Sequence, residues 1–155
     1  MEKKMEQQIV TKTLIITVGM PCSGKTTWCK RNNISYVSRD DIREFNFIKP
    51  YVYSGQNEKE VTKRFDEMVR IFFVYNQTVA LDNTHCKEKY IDNIIKQYPE
   101  HKIQIKFFDI GFIKAHYRNI VRRIQTGKWI PIKVMNDMYR NYKQINKEKY
   151  EEYNF

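Results

Sequence analysis

Glycine, proline and cysteine are scarce in this chain of 155 residues, which contains five, four and three of them. So little glycine and proline excludes a collagen-like or low-complexity chain, and no internal repeat or linker divides the sequence. The cysteines are odd in number and fit neither a disulfide framework nor a metal site, so we expect reduced thiols. No apolar run is long enough to span a bilayer, and no apolar signal segment follows the basic start at residues 1–4. We therefore expect a soluble, cytoplasmic protein that forms one domain over residues 1–155 and has no membrane partner.

Positive charge is in excess and is unevenly distributed. The chain has 28 basic and 18 acidic residues, a formal net charge of +10, and residues 101–155 hold 12 basic against 5 acidic residues. Such a region favours a polyanionic partner, such as nucleic acid or nucleotide phosphates, over a membrane surface. A solvated basic surface is an equal alternative on charge alone. The abundance of Lys, Ile, Asn and Tyr, which have A/T-rich codons, hints at a phage or viral genome and an infected cell.

Short β-branched runs alternate with helical patterns along the chain, which at 41% hydrophobic residues can form a core. Four strands are predicted, at residues 13–18, 34–37, 78–81 and 102–110. Four helices are indicated by apolar stripes that we assign to the core: Val61/Phe65/Met68/Phe72, Ile91/Ile94/Ile95/Tyr98, Tyr117/Ile120/Val121/Ile124 and Val134/Met135/Met138/Tyr142/Ile145. Asn57 and Glu60 are candidates to cap the first of them. Strands that alternate with helices predict an α/β fold, with a parallel sheet of about four strands covered by helices on both faces.

A phosphate-binding loop follows the first predicted strand. Residues 19–26 read GMPCSGKT and match the P-loop (Walker A) pattern G-x-x-x-x-G-K-[ST], which here opens a helix. The loop backbone can wrap a phosphate, Lys25 can reach the β- and γ-phosphates, and the Thr26 hydroxyl can bind Mg²⁺. The pattern predicts a nucleotide-triphosphate site, formed by Gly19, Pro21, Cys22, Ser23, Gly24, Lys25, Thr26 and Thr27. No guanine-reading N-K-x-D segment is present, so a GTPase is not favoured.

Two further charged groups are candidates for the reaction itself. Residues 38–43, which read SRDDIR, follow the second strand, where a carboxylate can accept a proton from an attacking hydroxyl and an arginine three residues later can hold a phosphate of the acceptor. Acidic residues at a helix start are the alternative explanation, which the nearby P-loop makes the weaker one. Arg118 and Arg122 lie four residues apart on one flank of a helix and can stabilise charge on a transferring phosphoryl group. A solvated basic helix face is the alternative for this pair.

Taken together, these motifs closely resemble the kinase domain of phage-type polynucleotide 5′-hydroxyl kinases. The resemblance covers roughly residues 12–145, and the motifs occur in the family's order. They are Gly19-x-Pro21-x-Ser23-Gly24-Lys25-Thr26-Thr27-Trp28, Arg39-Asp40-Asp41, Leu81-Asp82-Asn83-Thr84, Phe108-Asp109, Arg118-Asn119-x-x-Arg122, Ile130-Pro131-Ile132 and Met138-Tyr139. The resemblance implies an adenylate-kinase-like P-loop NTPase fold with a helical lid at about residues 114–131.

The resemblance also implies an activity and roles for the residues. The activity is transfer of the γ-phosphate of ATP to the 5′-hydroxyl end of DNA or RNA, a step of nucleic-acid end repair that uses ATP and Mg²⁺. Lys25 and Thr26 would hold the ATP phosphates and the metal, with Arg118 and Arg122 as phosphate-binding lid residues. The catalytic set would be Asp40, Lys25 and Arg122.

On the acceptor side, the resemblance makes Asp40 the general base for the 5′-hydroxyl. Arg43 would contact the phosphate next to the terminal nucleoside, and Asp82 would be an active-site carboxylate that supports the loop.

Several alternatives stay open at this point. The segment from 122 to 131 is longer than the family pattern, so Arg123 competes with Arg122 for the lid role. A P-loop kinase of a small molecule, such as a nucleoside or sugar, and a non-catalytic nucleotide-dependent nucleic-acid-binding module are the rival functions. DNA or RNA preference and assembly as a homo-oligomer are undecided. No Asp-x-Asp phosphatase motif follows, so we expect a kinase domain alone, and we read His85, His101 and His116 as surface or packing residues.

Overall fold

A computed structural model describes residues 11–154 of the chain and contains a four-stranded sheet. The strands are β1 (Thr13–Gly19), β2 (Ser35–Val37), β3 (Thr78–Leu81) and β4 (Lys102–Phe108). They lie in the order β2-β3-β1-β4, and every neighbouring pair is parallel. The predicted parallel sheet is thus confirmed, with each strand end within two residues of its predicted place. Residues 1–4, where we expect no signal segment, lie outside the described range.

Helices connect the strands and return the chain from the carboxyl end of one strand to the amino end of the next. They are α1 (Lys25–Arg31), α2 (Arg39–Asn46), α3 (Gly55–Tyr75), α4 (Glu88–Gln97), α5 (Phe112–Thr126) and α6 (Ile132–Lys143), followed by a short 3-10 helix at Lys147–Tyr153. Because parallel strands all point one way, the four carboxyl ends meet at one edge of the sheet. Within residues 11–154, none of the helices combines the length and hydropathy that a bilayer crossing needs.

Side chains of β1 alternate between the two faces of the sheet and anchor a core on each. Leu14 packs with α2 and α3, and Ile16 packs with α4, α6 and the 3-10 helix. On the opposite face, Ile15 packs with Ala80 of β3 and with Cys29 of α1. The prediction of helices on both faces is therefore confirmed, and the larger core lies on the side of α3.

The start of α3 differs from the prediction. Ser54, rather than Asn57 or Glu60, caps the helix, because its hydroxyl accepts a hydrogen bond of 3.1 Å from the Asn57 backbone N–H. The buried side chains of the helix are Val61, Phe65, Val69 and Phe73. Met68 and Phe72 of the predicted stripe lie at the margin of this core and are only partly buried.

The apolar stripe of α5 is wrong as a prediction of core. Tyr117, Ile120 and Ile124 are 66%, 58% and 80% exposed, whereas Ala115 and Asn119 are the buried residues of this helix. The helix projects beyond the end of β4 and packs against α6, so its other faces meet solvent. Helical periodicity identified an apolar face here but carried no information on whether anything covers it.

Candidate active site at the carboxyl edge of the sheet

The P-loop lies between β1 and α1, and the geometry requires both of its glycines. Gly24 precedes α1 with φ 98°, a left-handed conformation that favours glycine. A Cβ on Gly19 would approach the Phe108 carbonyl oxygen to 2.8 Å and the Ser23 hydroxyl oxygen to 2.9 Å, closer than such atoms can pack. Cys22, with φ 62°, also has a left-handed backbone. The loop therefore keeps its tight curve at the place where a phosphate would bind.

Lys25 is buried beneath this loop and is held by the loop's own oxygens. Its ammonium donates hydrogen bonds to the carbonyl oxygens of Met20 at 2.6 Å and Gly19 at 3.1 Å, and to the Ser23 hydroxyl at 3.2 Å. Burial lowers the pKa of Lys25, and the nearby Asp82 carboxylate opposes this shift. Phosphate oxygens are stronger acceptors than neutral carbonyls, so a bound phosphate can compete for this ammonium.

Thr26 and Asp82 are joined directly. The Thr26 hydroxyl donates a hydrogen bond of 2.5 Å to Oδ2 of Asp82, which follows β3 and is 6% exposed. Burial raises the pKa of Asp82, while the Thr26 hydroxyl and the Lys25 charge act in the opposite direction. Since β3 lies between β2 and β1, Asp82 stands between the start of α2 and the P-loop.

The oxygens of this pair fit Mg²⁺, which prefers hydroxyl, carboxylate, phosphate and water ligands. Among residues 11–154, no group of three or more His, Cys, Asp or Glu side chains could hold a metal ion. For a metal ion at this place, nucleotide phosphates and water would supply the ligands beyond the Thr26 hydroxyl and the Asp82 carboxylate.

Asp40 and Arg43 meet on the first turns of α2. The Nη1 atom of Arg43 donates a hydrogen bond of 2.9 Å to Oδ1 of Asp40, whose side chain is 68% exposed. The helix starts where it does because the Ser38 hydroxyl accepts a hydrogen bond from the backbone N–H of Asp41. Burial, with the charges of Asp40 and Glu44, raises the pKa of the neighbouring Asp41 carboxyl. The structure thus places a solvent-accessible carboxylate and a guanidinium side by side at the edge that holds the P-loop.

Glu58 of α3, which our sequence analysis missed, fixes the orientation of Arg43. Its Oε1 and Oε2 atoms accept hydrogen bonds from Nε and Nη2 of Arg43, and Oε2 also accepts one from Arg39. The hydrogen bond with Arg43 is the main cause that lowers the pKa of Glu58, to about 2. Burial alone would lower the pKa of Arg43, but its hydrogen bonds with Glu58 outweigh burial and raise it. Glu58 lies fifteen residues from Arg43, and no sequence motif marks the pair.

The segment that we call the lid runs from α5 to the start of α6, residues 112–132, and returns over the P-loop. Nη1 of Arg118 donates a hydrogen bond of 3.1 Å to the Cys22 carbonyl oxygen. Asn119 is 2% exposed, and its side-chain amide pairs with both the N–H and the carbonyl of Ile130, at 3.0 and 2.7 Å. This clamp holds the two ends of the lid together.

The two arginines that competed for the lid role have different surroundings. The guanidinium of Arg123 lies over the Trp129 ring, 4.5 Å from its centroid. Arg122 is half-buried, and within residues 11–154 its side chain contacts no hydrogen-bond or ion-pair partner. Lys128 forms an ion pair with Glu44, which joins the lid to α2. The lid thus bridges the P-loop side and the α2 side of the site.

The histidines that we read as packing or surface residues lie away from this chemistry or inside the core. Nδ1 of His85 lies 2.7 Å from the Thr17 carbonyl oxygen, and burial lowers its pKa to about 4, so the buried ring is neutral at pH 7. His101 contacts the Phe73 and Tyr98 rings, and His116 contacts the Phe112 ring.

Comparisons with known proteins agree with this architecture. A protein-family model described as an AAA domain matches residues 14–145. A chain in the structure of the Pnkp1/Rnl/Hen1 RNA repair complex matches 90% of this chain with 28% identity and a TM-score of 0.78. A chain in a second structure of the Pnkp1/Rnl/Hen1 complex matches 79%, with 25% identity and a TM-score of 0.60. This chain spans 46% and 42% of those two chains, less than half of their length.

The fold also occurs in a small-molecule kinase. A gluconokinase from Sinorhizobium meliloti 1021 matches 92% of this chain and is itself covered to 79%, with a TM-score of 0.56 and 12% identity. At that identity the likeness concerns the fold alone, which is kinase-like in both cases. The chain belongs to the AAA domain family, and its nucleotide-binding P-loop stands in a kinase-like fold.

Proposed function

We propose that this chain is an ATP-dependent kinase that transfers the γ-phosphate to the 5′-hydroxyl end of DNA or RNA. The observation that carries the proposal is the 2.9 Å pair of Asp40 and Arg43 at the edge that holds the P-loop. A polynucleotide 5′ end presents a hydroxyl and, one nucleoside away, a phosphodiester. A carboxylate can accept the proton of that hydroxyl, and a guanidinium beside it can bind the negatively charged phosphodiester.

The nucleotide side of the site needs no rearrangement of the fold. Lys25 moves its hydrogen bonds from the Met20 and Gly19 carbonyls to the β- and γ-phosphates, while the loop N–H groups cradle the same phosphates. The Thr26 hydroxyl, now bonded to Asp82, would hold Mg²⁺ together with the phosphates, and the metal would neutralise part of their negative charge. Asp82 stays beside Lys25, where its charge opposes the lowering of the Lys25 pKa by burial.

On the acceptor side, the oxygen of the 5′-hydroxyl forms a bond to the γ-phosphorus, and Asp40 accepts the proton of that hydroxyl. The bond between the γ-phosphorus and the bridging oxygen breaks, and ADP leaves with that electron pair. Arg43 holds the first phosphodiester, which aligns the hydroxyl for in-line attack. Arg122, whose side chain is unpaired in the described structure, stabilises the charge that spreads over the transferring oxygens. Arg118 supports the lid through the Cys22 carbonyl.

Two further observations support a polymer as acceptor. Five of the twelve basic residues of the last third, Lys114, Arg118, Arg122, Arg123 and Lys128, lie in the lid. The likeness at 28% identity is to a chain of an RNA repair complex, which supports a nucleic-acid substrate and further protein partners. A small alcohol substrate would need no extended basic surface.

The experiment is a transfer assay with γ-labelled ATP and Mg²⁺. The acceptors are 5′-hydroxyl DNA and RNA oligonucleotides of one sequence, the same oligonucleotides with a 5′-phosphate, a nucleoside, and gluconate, and Lys25→Ala is the inactive control. Label in the 5′-hydroxyl oligonucleotides alone supports the proposal. Label only in the nucleoside or gluconate shows a small-molecule kinase instead, and nucleotide-dependent oligonucleotide binding without label shows a binding module.

A further inference from the structure

We infer that Tyr53 forms a stacking site for the base of the second nucleotide of the acceptor strand, one position inward from the reacting end. The inference rests on the proposed function and deepens it, since only a polymer has such a base. It assigns a role to the aromatic segment between α2 and α3, which the mechanism above does not use.

Arg43 has two neighbours on this side of the site, a carboxylate and an aromatic ring. Asp40 contacts Arg43 at 2.9 Å, and the guanidinium carbon of Arg43 lies 5.4 Å from the centroid of the Tyr53 ring. If the 5′-hydroxyl lies at Asp40 and the first phosphodiester lies at Arg43, the strand continues toward Tyr53. The phosphodiester at Arg43 is the 5′-phosphate of the second nucleotide, so that nucleotide's base is one sugar away from it.

Arg43 has capacity left for that phosphodiester. A guanidinium has five N–H donors, and the structure pairs three of those of Arg43, one with Asp40 and two with Glu58. Two N–H donors remain for a phosphate, one on Nη1 and one on Nη2. Glu58 also keeps the guanidinium plane fixed, so the position of a bound phosphate relative to Tyr53 is fixed with it.

The Tyr53 ring is exposed, yet it is held in place. It is 72% exposed, and its ring meets that of Tyr51 edge to face, with centroids 4.9 Å apart. Tyr51 is anchored in turn, because its hydroxyl donates a hydrogen bond of 2.7 Å to Glu58 and its ring packs on Phe47. An exposed aromatic ring with a supported edge and an adjacent cation is the arrangement on which nucleic-acid bases stack.

The test compares 5′-hydroxyl DNA acceptors that are intact, abasic at position 2, or abasic at position 4. For the wild type, loss of the base at position 2 should raise KM about 5- to 100-fold, the range that base stacking contributes, and loss at position 4 should not. Tyr53→Ala should raise KM for the intact acceptor by a similar factor and remove its preference for a base at position 2. Tyr53→Phe, which keeps the ring, should retain the wild-type pattern.

A binding readout makes the test independent of turnover. The fluorescence of 2-aminopurine at position 2 should be quenched on binding to the wild type and to Tyr53→Phe, and not to Tyr53→Ala. The inference is overturned if Tyr53→Ala keeps the full dependence on the base at position 2, or if the wild type shows none. Failure of the proposed function looks different, because then no 5′-hydroxyl oligonucleotide is labelled at all.

Discussion

Glu58 holds the guanidinium of Arg43 with both carboxylate oxygens, 3.0 Å from Nε and 2.8 Å from Nη2. This bidentate pair joins α3 to α2 and leaves Nη1 directed to Asp40. If Arg43 binds the acceptor as proposed, Glu58 is a positioning residue, because it contacts Arg43 and not the acceptor. Arginine suits the place, since its planar fork matches a carboxylate on one edge and a phosphate on another.

Replacing Glu58 should therefore impair acceptor binding more than chemistry. Glu58→Gln keeps the shape and removes the charge, so KM for a 5′-hydroxyl oligonucleotide should rise about 5- to 30-fold while kcat changes little, as loss of a charge-assisted hydrogen bond implies. The matched control is Glu60→Gln, since Glu60 pairs with Arg64 on the same helix. A fall in kcat with KM unchanged would contradict a positioning role.

The same carboxylate should make stability depend on pH. Its hydrogen bonds with Arg43 lower the pKa of Glu58 from 4.5 to about 2. A depressed carboxylate pKa stabilises the fold above the unfolded-state pKa, and this contribution is lost as the pH falls through the folded-state pKa. We expect wild type to exceed Glu58→Gln by about 1–2 kcal/mol in unfolding free energy at about pH 6, allowing for solvent screening, with the gap closing toward pH 2. Urea unfolding at a series of pH values measures this difference in unfolding free energy. A difference that does not change with pH would refute the lowered pKa of Glu58.

Asp40 and Asp41 form a natural pair of test and control on α2. Asp40→Asn should retain ATP binding and lower transfer by about 10²–10⁴, because the amide cannot accept the proton of the hydroxyl. Asp41→Asn should stay within about tenfold of wild type, since that carboxylate is more buried and its backbone N–H serves the helix cap. Single-turnover transfer and ATP binding by calorimetry measure both. The reverse ranking would move the base to Asp41.

Substitutions of the two lid arginines should likewise differ in their effect on kcat. Arg122→Ala should lower kcat about 10²–10³-fold with little change in either KM, because its contact strengthens only as charge develops in transfer. Arg123→Ala should leave kcat close to wild type, since that guanidinium lies over Trp129. Steady-state kinetics at saturating ATP and oligonucleotide compare the two. If Arg123→Ala is the slower enzyme, the lid role belongs to Arg123.

Local patterns predicted the strands and the P-loop because the information lies within a few neighbouring residues. The β-branched run from Thr13 and the glycines at 19 and 24 specify a strand and a tight loop whatever the rest of the chain does. The parallel direction of the strands, though not their order, followed from the alternation of strands with helices. Asp40 and Arg43, three residues apart, are likewise brought together by one helix turn.

The features that were not predicted from the sequence depend on contacts between distant segments. Glu58 reaches Arg43 only because α3 packs on α2, and Asn119 reaches Ile130 only because the lid folds back on itself. The 3-10 helix was not predicted, although its Tyr150 is buried and donates a hydrogen bond to Asp92. Periodicity identifies the apolar face of a helix but not whether other elements pack on it. The prediction that the apolar face of α5 is buried was therefore wrong.

The basic residues of the lid should make the affinity for an oligonucleotide depend on salt. If Lys and Arg side chains grip the acceptor backbone, apparent affinity for an oligonucleotide should fall with salt through release of counterions. The proposed site takes only the first few nucleotides of the acceptor, so we expect two to four phosphate contacts. At about −0.7 per single-strand phosphate, this gives a log–log slope of about −1.5 to −3.

The residues that form those contacts can be identified from the slope. Arg43→Ala removes one proposed phosphate contact, so the slope should become shallower by about 0.7 and affinity should fall for every sequence alike. Arg70→Ala is the control: Arg70 is exposed near the end of α3, where Asn76 contacts Ser35 at the start of β2, so it lies at the opposite edge of the sheet. Its loss should leave the slope unchanged. Steady-state transfer at several KCl concentrations gives the slopes for wild type and both variants. A flat response of the wild type would refute the grip on a nucleic-acid backbone, because an acceptor bound without phosphate contacts releases no counterions.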